Sequence, residues 1–442
     1  MKIENDAKAV SSGKEELAIN GGTPVRDNPL PLEFPGIHHM DEDEVNAAVR
    51  VLRSRSPFRY YGVDLQGEVQ TFEAEFASFL GISYCLAINS GTGALHTALA
   101  ALGVGPGQEV IVPAYMWVSV IAAVVNLGAI PVLADIDDTF CLDPVAVEAK
   151  ITSRTTGIIV VHMSGAPADI GAVEKVARKH GLFLLEDCAQ CAGGSIAGKK
   201  VGTFGDMAIF SFQMNKNMTS GEGGCIVTND ERLYNRAVAC HDTGYARDSG
   251  GRAILDNFDF CLWGRGYRMD EIRASILRIQ LKKLPTVIAH MHRSKYRIRK
   301  VLEQHSEIRL RRIVDPDGDT GCFLLTTFQD PETAKEINRA LRAEGIITLA
   351  QGVNNIVMTQ WGLHIYYNIP SLVNKTGVDK RNSPWSLVEN RDSQTEYRKG
   401  TCPYADNLFE RTVLLAIPSC LTCRDEQDII DAFEKVLGSR QE

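Results

Sequence analysis

Between Ser83 and Asn229, short apolar runs alternate with helix-like stretches, and this alternation constrains the fold more than any other feature of the chain. The runs are Tyr84–Asn89, Glu109–Pro113, Pro131–Asp135, Gly157–His162, Leu182–Asp187, Met207–Phe210 and Cys225–Val227. Helical patterns fall at Ala94–Leu102, Ile121–Leu127 and Ile170–His180. A strand that is apolar along its whole length is covered on both faces, which is the pattern of a parallel sheet clothed by helices. The class is therefore α/β. Sheets of this kind bind ligands beyond the carboxyl ends of their strands, so the residues that end the runs are the candidates for chemistry.

Four such ends carry complementary groups. Asn89-Ser90-Gly91-Thr92-Gly93 joins a strand to a helix, where small residues let backbone N–H groups approach an anion. Trp117 follows the strand ending at Pro113 and offers a flat apolar face; a core or interface role is equally open to it. Asp187 ends an apolar strand, where a carboxylate needs a cation or a helix-capping role. Lys216 follows Met207–Phe210 and precedes Ser220-Gly221-Glu222-Gly223-Gly224. A partly desolvated lysine there has a neutral, nucleophilic amine suited to a Schiff base. A phosphate cradle, a ring platform, an acid for a ring nitrogen and a Schiff-base lysine together match pyridoxal 5′-phosphate.

The rest of the chain frames this unit. Residues 1–35 read as an arm broken by Gly21-Gly22-Thr23-Pro24, and Asp41 to Ser54 as a helix with an acidic start and a basic end. We divide the remainder into a large cofactor-binding domain, 36–285, and a small C-terminal domain, 286–442, with a long helix from Met269 to about Glu303 crossing between them. The polar segment 351–407, with Trp361 and Trp385, either covers the site or makes a solvated excursion. Ile429, Ile430, Phe433, Val436 and Leu437 share one face of a last helix that Thr422 and Asp425 are placed to cap.

A net charge of −8 argues against nucleic acid or an anionic membrane as the main partner. No apolar run is long enough to span a bilayer, and the polar start, Met1 to Leu17, lacks a secretory apolar core, so the chain reads as cytoplasmic. The 11 cysteines then read as free thiols, including the pairs Cys188/Cys191 and Cys420/Cys423, and no metal is expected.

Ser90-Gly91-Thr92-Gly93-Ala94-Leu95, Gly105 to Pro113, Glu186-Asp187-Cys188-Ala189-Gln190 and Ser211 to Gly224 resemble the motifs of the DegT-type (DegT/DnrJ/StrS) sugar and cyclitol aminotransferases of fold type I. The resemblance runs from about Leu17 to the C-terminus. It implies a mostly parallel seven-stranded sheet flanked by helices, a smaller α+β C-terminal domain, and a homodimer with active sites at the interface. It also implies bound pyridoxal phosphate. Lys216 would be the catalytic Schiff-base lysine, Asp187 the partner of the pyridine nitrogen, Gln190 that of the phenolic oxygen and Trp117 the stacking ring. Gly91, Thr92, Gly93 and Ser211 would hold the phosphate. The implied reaction moves an amino group from glutamate or glutamine to a keto or aldehyde group of a sugar, sugar acid or cyclitol. Other fold-type I chemistry, such as decarboxylation or elimination, and a non-catalytic binding protein are the alternatives.

Substrate signals diverge. Ala18 to Arg26 and Gln213 resemble the antibiotic-pathway branch, which includes enzymes of cyclitol ketones and aminohydroxybenzoate. Phe58-Arg59-Tyr60, Val314 to Asp319 and Asn354-Asn355 resemble an octulosonate-type aminotransferase. Arg59, Tyr61, His162 and His241 are candidate substrate contacts, each equally suited to packing or capping. One departure stands out: in Gly264-Arg265-Gly266-Tyr267-Arg268-Met269, Gly266 occupies the place of the family's Asn, which reaches the neighbouring subunit's cofactor phosphate. Arg265 or Arg268 either supplies that charge or makes a structural ion pair.

Overall fold

A computed structural model describes residues 16–248, 251–348 and 355–440. The first 15 residues of the arm and Asn354, one of the residues behind the octulosonate likeness, lie outside the described residues. The apolar runs form β1 (Tyr84–Ile88), β2 (Glu109–Pro113), β3 (Ile130–Ala134), β4 (Thr155–Val161) and β5 (Phe183–Asp187). A two-stranded hairpin of β6 (Ser195–Ile196) and β7 (Lys199–Lys200) follows, then β8 (Met207–Ser211) and β9 (Gly224–Thr228). Apart from the hairpin these make one seven-stranded sheet in the order β1-β9-β8-β5-β4-β2-β3. The pairs β2–β3, β2–β4, β4–β5 and β5–β8 are parallel, whereas β9 runs antiparallel to both β8 and β1. Thus β1 points the same way as β8, and every strand except β9 ends along one edge.

Helices cover both faces. They are α1 (Glu42–Ser54), α2 (Glu68–Leu80), α3 (Gly91–Ala101), α4 (Ser119–Asn126), α5 (Pro144–Ala149), α6 (Ile170–His180), α7 (Glu231–His241) and α8 (Glu271–Leu302). Strand β8 shows the division directly. Met207 and Ile209 join the core containing Leu95, Leu99 and Val173. Ala208 and Phe210 join the core built with Phe72 and Phe76 of α2 and Leu277 of α8. This is the two-residue period of a strand buried on both sides. Asp41 caps α1 in a reciprocal capping box with Glu44.

Helix α8 carries the chain from one core to another. Ala274, Leu277, Leu281 and Leu284 pack under the large sheet, and Val287, Met291, Ile298 and Leu302 pack into a second core. That core lies against β10 (Arg309–Leu310), β11 (Phe323–Thr327), β12 (Asn355–Val357) and β13 (Thr412–Ala416), an antiparallel sheet ordered β10-β11-β13-β12. Its helices include α9 (Pro331–Ala343) and, beyond β13, the C-terminal helix Cys423–Gly438, capped by a Thr422/Asp425 box.

Residues 358–411, between β12 and β13, return to the large sheet. Ile365, Tyr366, Ile369, Leu372 and Tyr397 join its core. Tyr397 Oη donates to the Pro131 carbonyl at 2.8 Å, and the Gly107 N–H donates to Asn390 Oδ1 at 2.7 Å. Polar residues dominate this excursion's sequence, but its few large apolar side chains anchor it. Among the described residues no helix is long and apolar enough to cross a membrane.

Phe76 is fully buried, with ring contacts to Phe72, Phe79, Phe210 and Phe212. Phe76→Ala should therefore lower the unfolding free energy by ~3–5 kcal/mol, read from the denaturation midpoint at constant slope.

Candidate active site

The sheet edge gathers the groups that the strand ends promised. Ser90 caps α3 by accepting from the Gly93 N–H at 3.0 Å. Gly91 and Thr92 open the helix and line a cavity of about 390 Å³; the Gly93 N–H is taken by Ser90, so of the three expected phosphate groups Gly93 serves the cap instead. A Cβ on Gly91 would lie 2.7 Å from Ser211 Cβ, so glycine is what lets the helix start meet β8. Ser211 lines the same cavity, as does Ser119, whose hydroxyl lies 2.7 Å from that of Thr92. Trp117, after β2, lines it too and is 43% exposed.

Asp187 closes β5 at the cavity floor, 4% exposed, and accepts from the Ala189 N–H at 2.9 Å. Burial pushes its pKa up; the Ala189 N–H and the charges of Lys216 and His162 act against that rise. One residue earlier, Glu186 is sunk below the floor. Burial acts to raise its pKa, but His162 and the N–H groups of Gly205 and Gly202 outweigh it and hold the carboxyl below its ordinary value.

Lys216 sits in a loop that folds on itself. The Phe212 N–H donates to Gly223 O at 2.8 Å, Met214 N–H to Gly221 O at 3.0 Å, and Lys216 N–H to Gln213 O at 3.0 Å. From outside, the Gly36 N–H grips Lys216 O at 3.0 Å, and Asn217 Nδ2 donates to Ala192 O at 3.1 Å. Desolvation lowers the pKa of the Lys216 amine, with the Asp187 charge opposing. The site therefore sets an amine of lowered pKa and a buried acid in one cavity.

A second chamber of about 380 Å³ adjoins the first and shares Trp117, Gln190, Asn215, Lys216 and His364 with it. Glu33 and Pro35 of the arm, Cys322 and Phe323 of the small sheet, and Trp361 of the excursion complete it. His364 is the site residue that the sequence reading missed. Only its nearness to Trp361 in a polar segment marked it, and no local pattern ties that segment to the sheet.

The structure places the four expected substrate residues elsewhere. His162 is fully buried below the floor. Its Nε2 lies 3.0 Å from Glu186 Oε2, and its Nδ1 accepts from the Ala168 N–H at 3.0 Å, so neither nitrogen is left for a ligand. His162, Glu186 and Cys188 hold possible metal-ligand atoms within 4.8 Å of one another, but the first two are already engaged in this network. His241 is likewise fully buried, with Nδ1 donating to Val238 O at 2.6 Å and Nε2 3.4 Å from Tyr60 Oη. Arg59 is paired with Glu73 at 2.9 Å, and Tyr61 is 73% exposed beside Phe58. None of the four lines either chamber.

Gly266 has a φ of +70°, in the left-handed region that glycine and asparagine tolerate best, and a Cβ there would meet only open space. Arg268 pairs with Asp242 at 2.5 Å, so it is a structural cation. Arg265 is exposed and makes no ion pair among the described residues.

A model of the DegT/DnrJ/EryC1/StrS aminotransferase family matches residues 39–356, and the chain belongs to that family. Its fold is that of the fold-type I aminotransferases. The crystal structure of 3-amino-5-hydroxybenzoic acid synthase superposes with a TM-score of 0.74 at 30% identity, covering 90% of this chain and 96% of that one. An L-glutamine:2-deoxy-scyllo-inosose aminotransferase from Streptomyces kanamyceticus is 40% identical over 279 residues, spanning 61% of this chain and 63% of its own, less than two thirds of that relative's length. One of the same description from Streptomyces fradiae is 32% identical over 437 residues, covering 95% of this chain and 97% of its own.

Burial lowers the pKa of His241 and of His364 to about 3 and that of His96 to about 4. On unfolding each returns to about 6.5, so between these limits the unfolded chain binds more protons and stability falls as pH drops. The loss of stability between pH 7.5 and pH 5, measured by urea unfolding, should be shallower in His241→Gln than in the wild type; equal slopes would contradict this assignment.

Proposed function

We propose that this protein is a pyridoxal phosphate-dependent aminotransferase that moves the amino group of glutamine or glutamate to the carbonyl carbon of an uncharged cyclitol or sugar. The observation that carries the reading is that Lys216, whose amine pKa desolvation lowers, and the buried Asp187 line one cavity.

The residues present fit the cofactor. Asp187, in the cavity floor, would face the protonated pyridine nitrogen, a cation that compensates the cost of a buried carboxylate. The space that a Gly91 side chain would fill, with Thr92 and Ser211 beside it, suits the phosphate. Trp117 would cover a ring face, and Gln190, which lines both chambers, would donate to a ring oxygen. When bound, the cofactor's conjugated ring supplies the electron sink for negative charge developing beside nitrogen.

The chain's own residues then bind, orient and move protons. The Lys216 amine, whose pKa desolvation lowers, would be the base that takes a proton from the donor's α-carbon and the acid that returns it. Asp187 would hold a ring nitrogen in its protonated form, and the Glu186–His162 network beneath it fixes the strand end. The outer chamber, with aromatic Trp361 and Phe323 and the amides Gln190, Asn215, Asn217 and Gln360, suits a ring bearing neutral hydroxyls. Lys216 is the one cation among its described lining residues, which argues against a nucleotide diphosphate or sugar acid as acceptor. The named glutamine:inosose relatives support the same choice.

We also propose a homodimer joined near Phe258 and Trp263, which are 86% and 93% exposed. Sedimentation should give a dimer for the wild type and a shift toward monomer in Trp263→Asp.

Lys216→Ala should abolish amino transfer, followed by mass spectrometry of the products from glutamine and a cyclitol ketone; retained turnover would sink the reading. Gly91→Ala should weaken pyridoxal phosphate about tenfold, ~1.4 kcal/mol, in an absorbance titration.

A further inference from the structure

The excursion 358–411 delivers one imidazole to the junction of the two chambers, and its hydrogen bonds fix which nitrogen is free to accept. The Met116 N–H donates to His364 O at 3.1 Å, and Tyr115 pairs with Ile365 as an isolated antiparallel bridge. The loop that carries Trp117 therefore holds His364 by its backbone. The ring lies between two indoles, 4.5 Å from Trp361 in a stacked arrangement and 4.7 Å from Trp117 at a tilt. Its Nδ1 donates to Trp361 O at 3.0 Å. Its Nε2 faces Gln190 Nε2 at 3.3 Å. Gln190 cannot reverse its amide without losing a bond, because its Oε1 accepts from the Ser164 N–H at 3.0 Å. Nitrogen meeting amide nitrogen leaves Nε2 as the acceptor, with its lone pair in the site.

Two further facts bear on what that lone pair is for. The 3.3 Å contact to Gln190 is long for a hydrogen bond, so a better donor can displace it. Trp361 Nε1 is buried with no hydrogen-bond partner among the described residues, and an orphaned donor beside a chamber calls for a ligand oxygen. Burial keeps His364 uncharged through the neutral range, so its lone pair is available.

We propose that His364 is a specificity-determining residue for the acceptor: its Nε2 accepts a hydrogen bond from a ring hydroxyl of the cyclitol or sugar, and Trp361 covers that ring. The proposal rests on the aminotransferase reading for the identity of the acceptor. Its geometric basis is independent of which carbon is aminated. A hydroxyl suits the site because it donates to Nε2 while its oxygen remains able to accept from a neighbouring N–H. An acceptor with hydrogen in place of that hydroxyl leaves Nε2 with only the long 3.3 Å contact to Gln190, so the site discriminates against it.

The test is His364→Phe, which keeps a flat ring between the indoles and removes the acceptor nitrogen. Calorimetry with scyllo-inositol, a cyclitol that cannot be aminated, reads binding directly on the cofactor-loaded protein. Steady-state kinetics with a cyclitol ketone separate KM from kcat. We expect scyllo-inositol binding to weaken about tenfold, with the acceptor KM rising by a similar factor and kcat changing less. His364→Ala adds the loss of stacking and should be worse on both counts. Unchanged cyclitol affinity and acceptor KM in His364→Phe, or no scyllo-inositol binding by the wild type, would overturn the proposal. Failure of the aminotransferase reading shows separately, as a wild type that binds scyllo-inositol but takes no amino group from glutamine or glutamate.

Discussion

Everything in this site turns on a half-buried lysine amine and a buried carboxylate that line the same cavity. Each shifts the other: desolvation alone would neutralise both, and their mutual attraction resists that. Asp187 has one backbone N–H donor and little solvent, so a cationic ring nitrogen is the partner that best satisfies it. Lys216 has no carboxylate within ion-pair distance among the described residues, so its amine stays available for chemistry. A solvated lysine and a solvated aspartate would have neither property.

The fold holds these groups in place by layers that extend well below the cavity. Strands β5 and β8 are adjacent and parallel, with Asp187 opposite Ile209, so that Asp187 and Ser211 both line the cavity at one edge. Beneath Asp187, Glu186 gathers the N–H groups of Gly202, Phe204 and Gly205 and the ring of His162. That arrangement locks the turn after the β6–β7 hairpin to β5. On the other side, Gly36, just after the arm, grips the lysine loop, and the excursion 358–411 pins itself to the loop after β2. Parts of the chain far apart in sequence thus converge on two chambers.

Much of this was legible in the residues. Continuous apolar runs gave the strands, and residues ending them, Gly91, Trp117, Asp187 and Ser211, do line the cavity, because side chains at the carboxyl edge of a parallel sheet have only one place to go. The capping patterns at Asp41 and Thr422 were equally readable, since a cap is a local bond. Two kinds of feature were not. His162, His241 and Arg59 carry functional-looking side chains whose partners, Glu186, Val238 and Glu73, are set by packing that no short window displays. His364 is the converse case: its segment has no period, and its contacts to Met116 and Trp117 join residues far apart along the chain. The reversal of β9 also left no mark, because a strand buried on both faces reads the same in either direction.

The most direct test of the central claim is chemical. The protein is incubated with pyridoxal phosphate, reduced with borohydride, digested and mapped by mass spectrometry. A Lys216 amine with lowered pKa in the same cavity as a buried acid predicts a single pyridoxyl label on Lys216, lost in Asp187→Ala at limiting cofactor. A label spread over surface lysines, or its absence from Lys216, would contradict the account.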